Sequence, residues 1–335
     1  MTPLPLDRPA YLGLDRDPTW LGYLDAGLRA CGAHYAGSRR AAYCPPVYDR
    51  LEERLADWMG APAALTMSSA SLAAATLAES LTDGGSAVLA GPLAHAAWKR
   101  PGGVTTCFDD DAAWRAAVRR LLAAGRAVAV VTDRVCALRA READFSWLTD
   151  LPGAAGSLTV VVDDSHALGA LRTGRGSYAE LRAVLPPATA VLSLASLGKA
   201  FSMPGAVIAG TPEVLREVWT RAGFGGASPL PPAYAHALSS VLGEGAAAAF
   251  VAARLRQLSS VVAAVEGRGL RGPHVTGHPV FRVDDPAQRA ALAEVGIVLS
   301  EVAYPRAESA PVTRLVLRAG ADGAEAVARI ARALG

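Results

Sequence analysis

Lysine is almost absent from this chain of 335 residues. Arginine supplies nearly all of the 33 basic side chains, and lysine occurs only at positions 99 and 199. The second of these, Lys199, directly follows Gly198 and lies among small residues in the stretch SLASLGKAF. In a sequence that otherwise uses arginine, a retained lysine indicates a task for an amine that can lose its proton, because a guanidinium stays charged.

Cysteine pairs with the spacing of metal sites or disulfides are also missing. The four cysteines are scattered and form no CxxC pair, so the sequence signals neither a zinc site nor a disulfide framework. We expect free thiols in a reducing compartment. The N-terminus lacks a basic start followed by an apolar run, so we expect no signal peptide and a cytoplasmic protein.

Neither a large charge excess nor a long apolar run occurs. The net charge is only +2, which provides no basic surface for nucleic acid. No apolar stretch reaches the roughly 18 residues of a membrane helix, so we expect no membrane partner. The length and the hydrophobic fraction of 51% are typical of a globular protein with one large domain and a smaller one.

Helical and strand patterns alternate through the middle of the chain. Strands that are separated by helices predict an α/β fold, with a mainly parallel sheet and helices on both faces. A long helical stretch over 229–269 then precedes three strands and a closing helix, which predicts a smaller α+β domain. The expected elements of the larger domain are helices over 50–59, 69–81 and 112–125, and strands over 86–90, 127–133, 157–164, 190–195 and 205–210.

Polar segments follow the expected strands at the points where open parallel sheets bind ligands. In VVDDSH, Asp163 ends a buried strand, so its charge needs a cationic or hydrogen-bonding partner. His166 follows, although a helix cap and a structural histidine are the alternative. In TMSSAS, the N–H groups and hydroxyls of residues 68–70 can bind an anion at a helix start, or they form an ordinary N-cap. The segments are 66–71, 132–133, 161–176 and 193–199.

Lys199, the strand-end acid and the helix start at residues 68–70 together provide three chemical groups that one cofactor needs. Just past a buried strand, its amine can be partly desolvated, which lowers its pKa and makes it a usable nucleophile. A lysine that forms a Schiff base, an acid that faces a pyridinium nitrogen and a helix N-terminus that holds a phosphate together form a pyridoxal phosphate (PLP) site. The sequence therefore predicts PLP as the cofactor.

The sequence resembles the fold-type-I PLP enzymes and, within them, the α-oxoamine synthases, the group that includes 8-amino-7-oxononanoate synthase and glycine C-acetyltransferase. VDDSHALGALRTGRG and SLGKAFSMPGAVIAG are similar to the two central motifs of that group. The likeness extends over nearly the whole chain through YLGL, YDRLEERLADWMG, ASPLPPAYAHAL and TRLVLRAG. It implies an N-terminal arm of the small domain over 1–35, a large PLP-binding domain over 36–230, and an interdomain helix with the small C-terminal domain over 231–335.

The resemblance implies a role for each matching residue. Lys199 would carry the cofactor and move a proton, Asp163 would hold the pyridine nitrogen protonated, and His166 would hydrogen-bond the ring phenolate. His95 would stack on the ring, unless it is an ordinary surface histidine. Arg314 would bind the substrate carboxylate, unless it is a strand-edge residue. The phosphate would be bound by Ser68, Ser69, Ala70 and Ser196 and, from the neighbouring subunit of a homodimer, Ser228.

Most departures from the family pattern concern the substrate side. Pro9 and Ala10 replace an Asn-Asp pair before YLGL, and Ala137 stands where the family has a serine near the ring. Ser202 replaces the glycine after K-A-F, and residues 319–322 lack the family's A-x-H. These changes leave the cofactor prediction intact and allow another reaction.

The resemblance implies a PLP-dependent transferase that condenses a small amino acid with an acyl thioester, of coenzyme A or an acyl carrier protein, with loss of CO₂. A PLP-dependent aminotransferase, aldolase or decarboxylase is the first alternative, and a non-catalytic binding protein of the same fold is the second. Aminotransferases more often have tyrosine where this chain has His166, which favours the acyltransferase. The short chain favours the first alternative, whereas an intact Lys199 and Asp163 argue against the second.

Overall fold

The computed structural model describes residues 2–99, 103–151, 158–243 and 245–335. Residue 157 of the expected strand 157–164 and residue 244 of the expected helical stretch 229–269 lie outside this part. The strands are β1 (Leu4–Leu6), β2 (Ala63–Met67), β3 (Ala87–Ala90), β4 (Thr106–Cys107), β5 (Val128–Asp133), β6 (Val135–Cys136), β7 (Arg141–Glu142), β8 (Leu158–Asp163), β9 (Ala190–Ser196), β10 (Ala206–Gly210), β11 (Val280–Arg282), β12 (Ile297–Val302) and β13 (Val312–Val316). The α-helices are α1 (Pro18–Cys31), α2 (Val47–Met59), α3 (Ala70–Asp83), α4 (Asp111–Ala123), α5 (Tyr178–Val184), α6 (Pro212–Thr220), α7 (Ala222–Gly225), α8 (Pro232–Val241), α9 (Ala246–Glu266), α10 (Pro286–Glu294) and α11 (Ala321–Leu334).

The larger sheet has seven strands in the order β2-β10-β9-β8-β5-β3-β4. Apolar side chains of α3 and α6 pack on one face of this sheet, and those of α4 and α5 pack on the other. All pairs are parallel except those of β10, which runs antiparallel to both neighbours. No helix separates β9 from β10, so the short connection returns the chain in the opposite direction. The mainly parallel sheet with helices on both faces is confirmed.

The smaller sheet has the order β1-β12-β13-β11. The N-terminal strand β1 pairs in parallel with β12, whereas the other two pairs are antiparallel. One hydrophobic cluster joins this sheet to the rest of the molecule: it contains Leu6 of β1, Leu55 of α2, Leu258 of α9 and Leu315 of β13. The N-terminal segment is therefore held in place by residues near the C-terminus.

The helical stretch expected over 229–269 is divided in two. Helix α8 ends at Val241, and α9 begins at Ala246. Gly245 precedes α9 with a φ of 70°, a left-handed conformation that glycine adopts without steric cost and that a continuous helix does not contain. A glycine-containing break therefore separates the two helices.

The segment Ala248–Glu266 of α9 is long and apolar enough, by length and composition, to cross a membrane. It carries Arg254 and Arg256, however, and it packs Val251 and Leu258 into the core. A helix with one apolar face against a protein core has these properties without any membrane.

The connection between β9 and β10 positions Lys199. The backbone N–H of Ser202 donates to the Lys199 carbonyl at 3.2 Å, and the Leu197 N–H donates to the Gly205 carbonyl at 3.0 Å. Ser202 itself has a φ of 52°, and its hydroxyl oxygen is buried without a hydrogen-bond partner among the described residues. A residue with a side chain is strained in this left-handed conformation.

Replacing Ser202 by glycine is expected to stabilise the protein by about 1 kcal/mol, because glycine relieves the left-handed backbone and removes an unpaired buried hydroxyl. Urea unfolding would measure the change. Ser202→Ala is the matched control, since it removes the hydroxyl and keeps the strained backbone. Equal stability of the glycine and alanine variants would contradict the backbone argument.

Candidate active site

The carboxyl ends of four strands meet at one edge of the larger sheet. Asp133 at the end of β5 lies opposite Asp163 at the end of β8. Ala206 of β10 lies opposite both Met67 and Ser196, so the ends of β2 and β9 are level. Because neighbouring strands are about 4.8 Å apart, the polar segments expected at strand ends lie side by side.

Asp163 is 5% exposed and is held by one donor at each carboxylate oxygen. The Ser165 N–H donates to Oδ1 at 3.0 Å, and the indole N–H of Trp98 donates to Oδ2 at 3.1 Å. Each carboxylate oxygen can accept a second hydrogen bond. The carboxylate is therefore fixed in orientation and retains capacity for another donor.

Asp133 provides a second buried carboxyl group beside Asp163. Its Oδ1 accepts the backbone N–H of His95 at 2.8 Å. Burial and the adjacent charge of Asp163 raise the pKa of Asp133 well above its usual value, although the His95 hydrogen bond and Lys199 oppose the shift. Protonation of Asp133 reduces the repulsion between the two neighbouring carboxyl groups.

Lys199 is half-buried, and its amine makes no hydrogen bond or ion pair with the residues that the structure describes. Burial lowers the pKa of Lys199, and Arg314 lowers it further, whereas Asp163 and Asp133 oppose the shift. A lysine in this environment gives up its proton more readily than one in water, so its neutral amine is available as a nucleophile or a base.

His166 is held by residues that are distant in sequence. Its Nδ1 lies 2.7 Å from the hydroxyl oxygen of Tyr11, which is fully buried and remains a phenol because burial raises its pKa. The phenol proton needs an acceptor, so Tyr11 donates to Nδ1. Burial and nearby Lys199 lower the pKa of His166 well below its usual value. The neutral ring therefore carries its proton on Nε2.

A second buried histidine supports the backbone of this segment. His278 is 1% exposed; its Nδ1 accepts the Val280 N–H at 3.3 Å, and its Nε2 lies 2.8 Å from the His166 carbonyl oxygen. With Nδ1 acting as acceptor, the proton lies on Nε2 and is donated to that carbonyl. Burial lowers the pKa of His278 to about 4.

The stability of the protein is expected to fall as the pH decreases from about 6.5 towards 4. In this range the unfolded chain protonates His278, with a pKa of about 6.5, while the folded chain does not. The difference amounts to roughly 3 kcal/mol across the range. His95 and His166, whose pKa values are also lowered by burial, contribute to the same fall. His278→Gln keeps an N–H donor and should make this part of the profile less steep, as measured by urea unfolding at several pH values. The exposed His34 provides the control His34→Gln; a profile of His278→Gln as steep as that of the control would refute the assignment.

His95 lies at the same edge of the sheet. It differs from a solvated surface histidine because its side chain is half-buried and both of its ring nitrogens have hydrogen-bond partners. Its Nδ1 accepts the Ala97 N–H at 3.1 Å, which leaves the proton on Nε2, 2.8 Å from the Tyr304 hydroxyl. The two rings are stacked, with centroids 5.3 Å apart. Burial lowers the pKa of His95, so the ring is neutral. Tyr304 follows β12, and it therefore connects the smaller sheet to this edge of the larger one.

Arg314 is a half-buried cation without a carboxylate partner in the described part of the chain. Its side chain donates to the Ser300 hydroxyl at 3.2 Å, and its Nε is buried without any hydrogen-bond partner among those residues. Burial lowers the pKa of Arg314, and its charge acts on Lys199 and His166. An unpaired guanidinium beside a reactive amine is suited to bind a carboxylate.

The expected phosphate residues are spread along the same edge. Ser68 and Ser228 line one small cavity together with Arg39 and Phe224. The Ser69 hydroxyl accepts the Leu72 N–H at 3.3 Å as the N-cap of α3, which begins at Ala70. The Ser196 hydroxyl accepts the Gly198 N–H at 3.2 Å. Ser69 therefore has the capping role that was the alternative interpretation, and Ser228 lies near Ser68 of its own chain.

Comparison with known proteins identifies relatives of this chain. Residues 141–333 match the family described as aminotransferase class I and II. The chain is 32% identical to the 8-amino-7-oxononanoate synthase of Sodalis glossinidius (strain morsitans) over 205 residues, which are 59% of this chain and 51% of the relative. It is 33% identical to that of Methylorubrum populi over 177 residues, 51% of this chain and 46% of the relative. The chain thus spans about half the length of the curated relatives it matches.

Solved structures resemble the fold over nearly its whole length. A serine palmitoyltransferase of Sphingomonas wittichii has a TM-score of 0.71 at 16% identity and covers 99% of this chain and 87% of its own. The 8-amino-7-oxononanoate synthase of Francisella tularensis has a TM-score of 0.66 at 17% identity, and the match covers 98% of this chain and 97% of that protein's chain. A structure described as SPT with PLP has a TM-score of 0.75 at 16% identity, and the match covers 99% of this chain and 87% of that structure's chain. These likenesses confirm the predicted fold class.

Proposed function

The chain belongs to the aminotransferase class I and II family, and from this premise we propose that it is a PLP-dependent α-oxoamine synthase that condenses a small amino acid with an acyl thioester and releases CO₂. The observation that carries the proposal is that one edge of the larger sheet brings together Asp163 at the end of β8, the following His166 and the β9–β10 connection with Lys199. The charge of Arg314 also acts on Lys199. The curated relatives named 8-amino-7-oxononanoate synthase support the same reaction class.

The donor set fits PLP. The amine of Lys199 lacks a partner among the described residues, the Asp163 carboxylate can accept one more donor, and His166 carries its proton on Nε2. These three groups match the aldehyde, ring nitrogen and ring oxygen of the cofactor, respectively. Serine hydroxyls and the N-terminus of α3 lie at the same sheet edge and suit a phosphate.

Each side chain then has a defined task. When bound, PLP supplies an aldehyde that reacts with amines and a ring that accepts electrons from the α-carbon of the substrate. Lys199 would hold the cofactor through its amine and, when that amine is free and neutral, would take up the α-proton of the amino acid. Asp163 would keep a proton on the ring nitrogen, and Arg314 would orient the substrate carboxylate.

In the proposed reaction, a bond from the α-carbon to the acyl carbon replaces the α-carbon–hydrogen bond, and the thiol leaves. The carboxylate is lost as CO₂ and a proton from solvent takes its place on the α-carbon, so the product is an aminoketone. The α-proton removed earlier balances the thiolate, which leaves as the thiol. We include in the proposal a homodimer with shared sites and a location in the cytoplasm. Sedimentation velocity of the purified protein would test the dimer.

The function is tested with purified protein, PLP, and glycine, alanine or serine, each with and without acyl-coenzyme A thioesters of different chain length. The expected result is release of free thiol and of carboxyl-labelled CO₂ in a 1:1 ratio, only when both substrates are present. Formation of a 2-oxo acid with an amino-acceptor substrate and no dependence on the thioester would contradict this function and indicate an aminotransferase.

Replacing Arg314 by glutamine is expected to raise the KM for the amino acid about 100-fold and to change kcat much less, because a charge-assisted contact made before and during the reaction is lost. Steady-state kinetics would measure both constants. Arg282 lies opposite Arg314 on the neighbouring strand and pairs with Asp284, so Arg282→Gln is the control. Equal effects of the two variants would refute the role of Arg314.

A further inference from the structure

Trp98 forms the link between a short turn and the Asp163 carboxylate. It ends the 3-10 helix Ala96–Trp98, and its side chain is 2% exposed. The indole packs in the hydrophobic cluster that includes Val131 of β5 and Val161 of β8. Burial in this cluster restricts the rotamer of Trp98, so its N–H has a fixed direction towards Asp163.

The two donors to Asp163 act on different oxygens. The indole N–H of Trp98 holds Oδ2 and the backbone N–H of Ser165 holds Oδ1. Rotation of the carboxylate about its terminal bond would break at least one of these hydrogen bonds. Because the backbone donor belongs to a neighbour in the chain, Trp98 is the partner that ties Asp163 to the His95–Trp98 turn.

That turn is also attached to the adjacent strand end. The N–H of His95 donates to Asp133 at 2.8 Å, so one short segment binds both carboxyl groups at the ends of β5 and β8. A displacement of the turn would therefore disturb the orientation of Asp163 and the position of the His95 ring together.

We propose that Trp98 is the positioning residue that directs the Asp163 carboxylate towards the ring nitrogen of the cofactor. The inference rests on the proposed use of PLP and assigns to Trp98 a task that the sequence motifs do not contain. Trp98 does not touch the reacting atoms; it acts through Asp163.

Trp114 provides a matched comparison within the same chain. It is 4% exposed, and its indole N–H donates to the backbone carbonyl of Leu89 at 3.1 Å. Both residues therefore bury an indole and satisfy its N–H at the same distance. Only Trp98 uses that N–H on a carboxylate of the candidate site.

The experiment compares wild type, Trp98→Phe and Trp114→Phe for the binding of two ligands to the cofactor-free protein. The ligands are PLP and its deaza analogue, in which a C–H group replaces the ring nitrogen, and both dissociation constants are measured by fluorescence quenching. Trp98→Phe is expected to weaken PLP binding about tenfold and to leave binding of the analogue unchanged. Trp114→Phe should alter neither constant by more than about twofold.

Several outcomes would overturn the inference. Unchanged PLP binding in Trp98→Phe excludes the positioning role, and equal weakening for both ligands indicates a general structural defect. Failure of the wild type to bind PLP would contradict the proposed function and the inference with it, a result distinct from a defect confined to Trp98→Phe. If Trp98→Phe does not fold, replacing Trp98 by benzothienylalanine keeps the ring shape and removes only the N–H donor, and the same expectations apply.

Discussion

Replacing Lys199 by alanine is expected to lower turnover by about 10⁴-fold or more and to abolish covalent binding of PLP. The reason is that the Lys199 amine would both attach the cofactor and remove the α-proton of the substrate. Removal of a group that takes part directly in the reaction has effects of this size. Borohydride reduction followed by mass spectrometry would locate the attached cofactor. With only two lysines in the chain, the assignment between them is direct.

Lys99 provides the control for this experiment. Its amine lies 3.4 Å from the Pro92 carbonyl oxygen and 4.0 Å from Asp109, so it already has polar partners. Lys99→Ala is expected to retain the label and most of the activity. A label that appears on Lys99, or that persists in Lys199→Ala, would show that the cofactor is attached elsewhere or adventitiously.

Replacing Asp163 by asparagine is expected to lower kcat/KM by about 10³-fold and to weaken PLP binding. Asparagine has nearly the same shape but no negative charge, so it leaves a buried ring cation without its counter-charge, a loss of about 4 kcal/mol. Kinetics and cofactor titration would measure the two effects. The global stability should change less than the activity.

Replacing the neighbouring Asp164 by asparagine is expected to have the opposite pattern of effects, on stability rather than on PLP binding. It is fully buried and accepts hydrogen bonds from the Ser177 backbone, the Ser177 hydroxyl and the Ser193 hydroxyl. Asp164→Asn is expected to destabilise the fold by about 2 kcal/mol, because a buried amide group would face donors that need an acceptor, and to leave PLP affinity largely unchanged. We assign Asp163 to cofactor binding and Asp164 to stability of the fold. An Asp163→Asn variant that lost as much stability as Asp164→Asn and kept its activity would contradict this assignment.

Much of the architecture could be predicted from local sequence patterns. Apolar runs such as those before Asp133 and Asp163 mark buried strands, and helical periodicity between them implies parallel pairing. Antiparallel β10 and the division between α8 and α9 were not foreseen. They depend on the direction in which a short connection returns the chain and on the backbone conformation of one glycine, Gly245, which an apolar pattern does not encode.

The candidate site was predictable where its residues lie next to strand ends. Asp163 ends a buried strand, His166 and Lys199 follow buried strands, and the structure places these segments at one edge of the larger sheet. Arg314 required the family resemblance, because a single arginine in a strand has no distinctive local signal. The TD segment that contains Asp133 is recognisable as a strand end, but its hydrogen bond with the His95 backbone joins segments that the sequence does not place together.

The partners that orient these groups were missed. Trp98 and Tyr304 have no distinctive local signal, and Tyr11 has one only as part of YLGL. Their contacts join residues that are far apart in the chain: 65 positions separate Trp98 from Asp163, 155 separate Tyr11 from His166, and 209 separate His95 from Tyr304.

The mainly parallel fold, the family and the chemical types of the reactive groups are predictable from the sequence, because strand ends, residue types and motif spacing are local properties of the chain. The folded molecule is needed to show which oxygen of Asp163 is held by Trp98, which nitrogen of His166 carries the proton, and why Ser202 is strained. Proton positions and carboxylate orientations depend on hydrogen-bond partners that folding brings together. Those partners come from separate segments, so their choice is a consequence of packing.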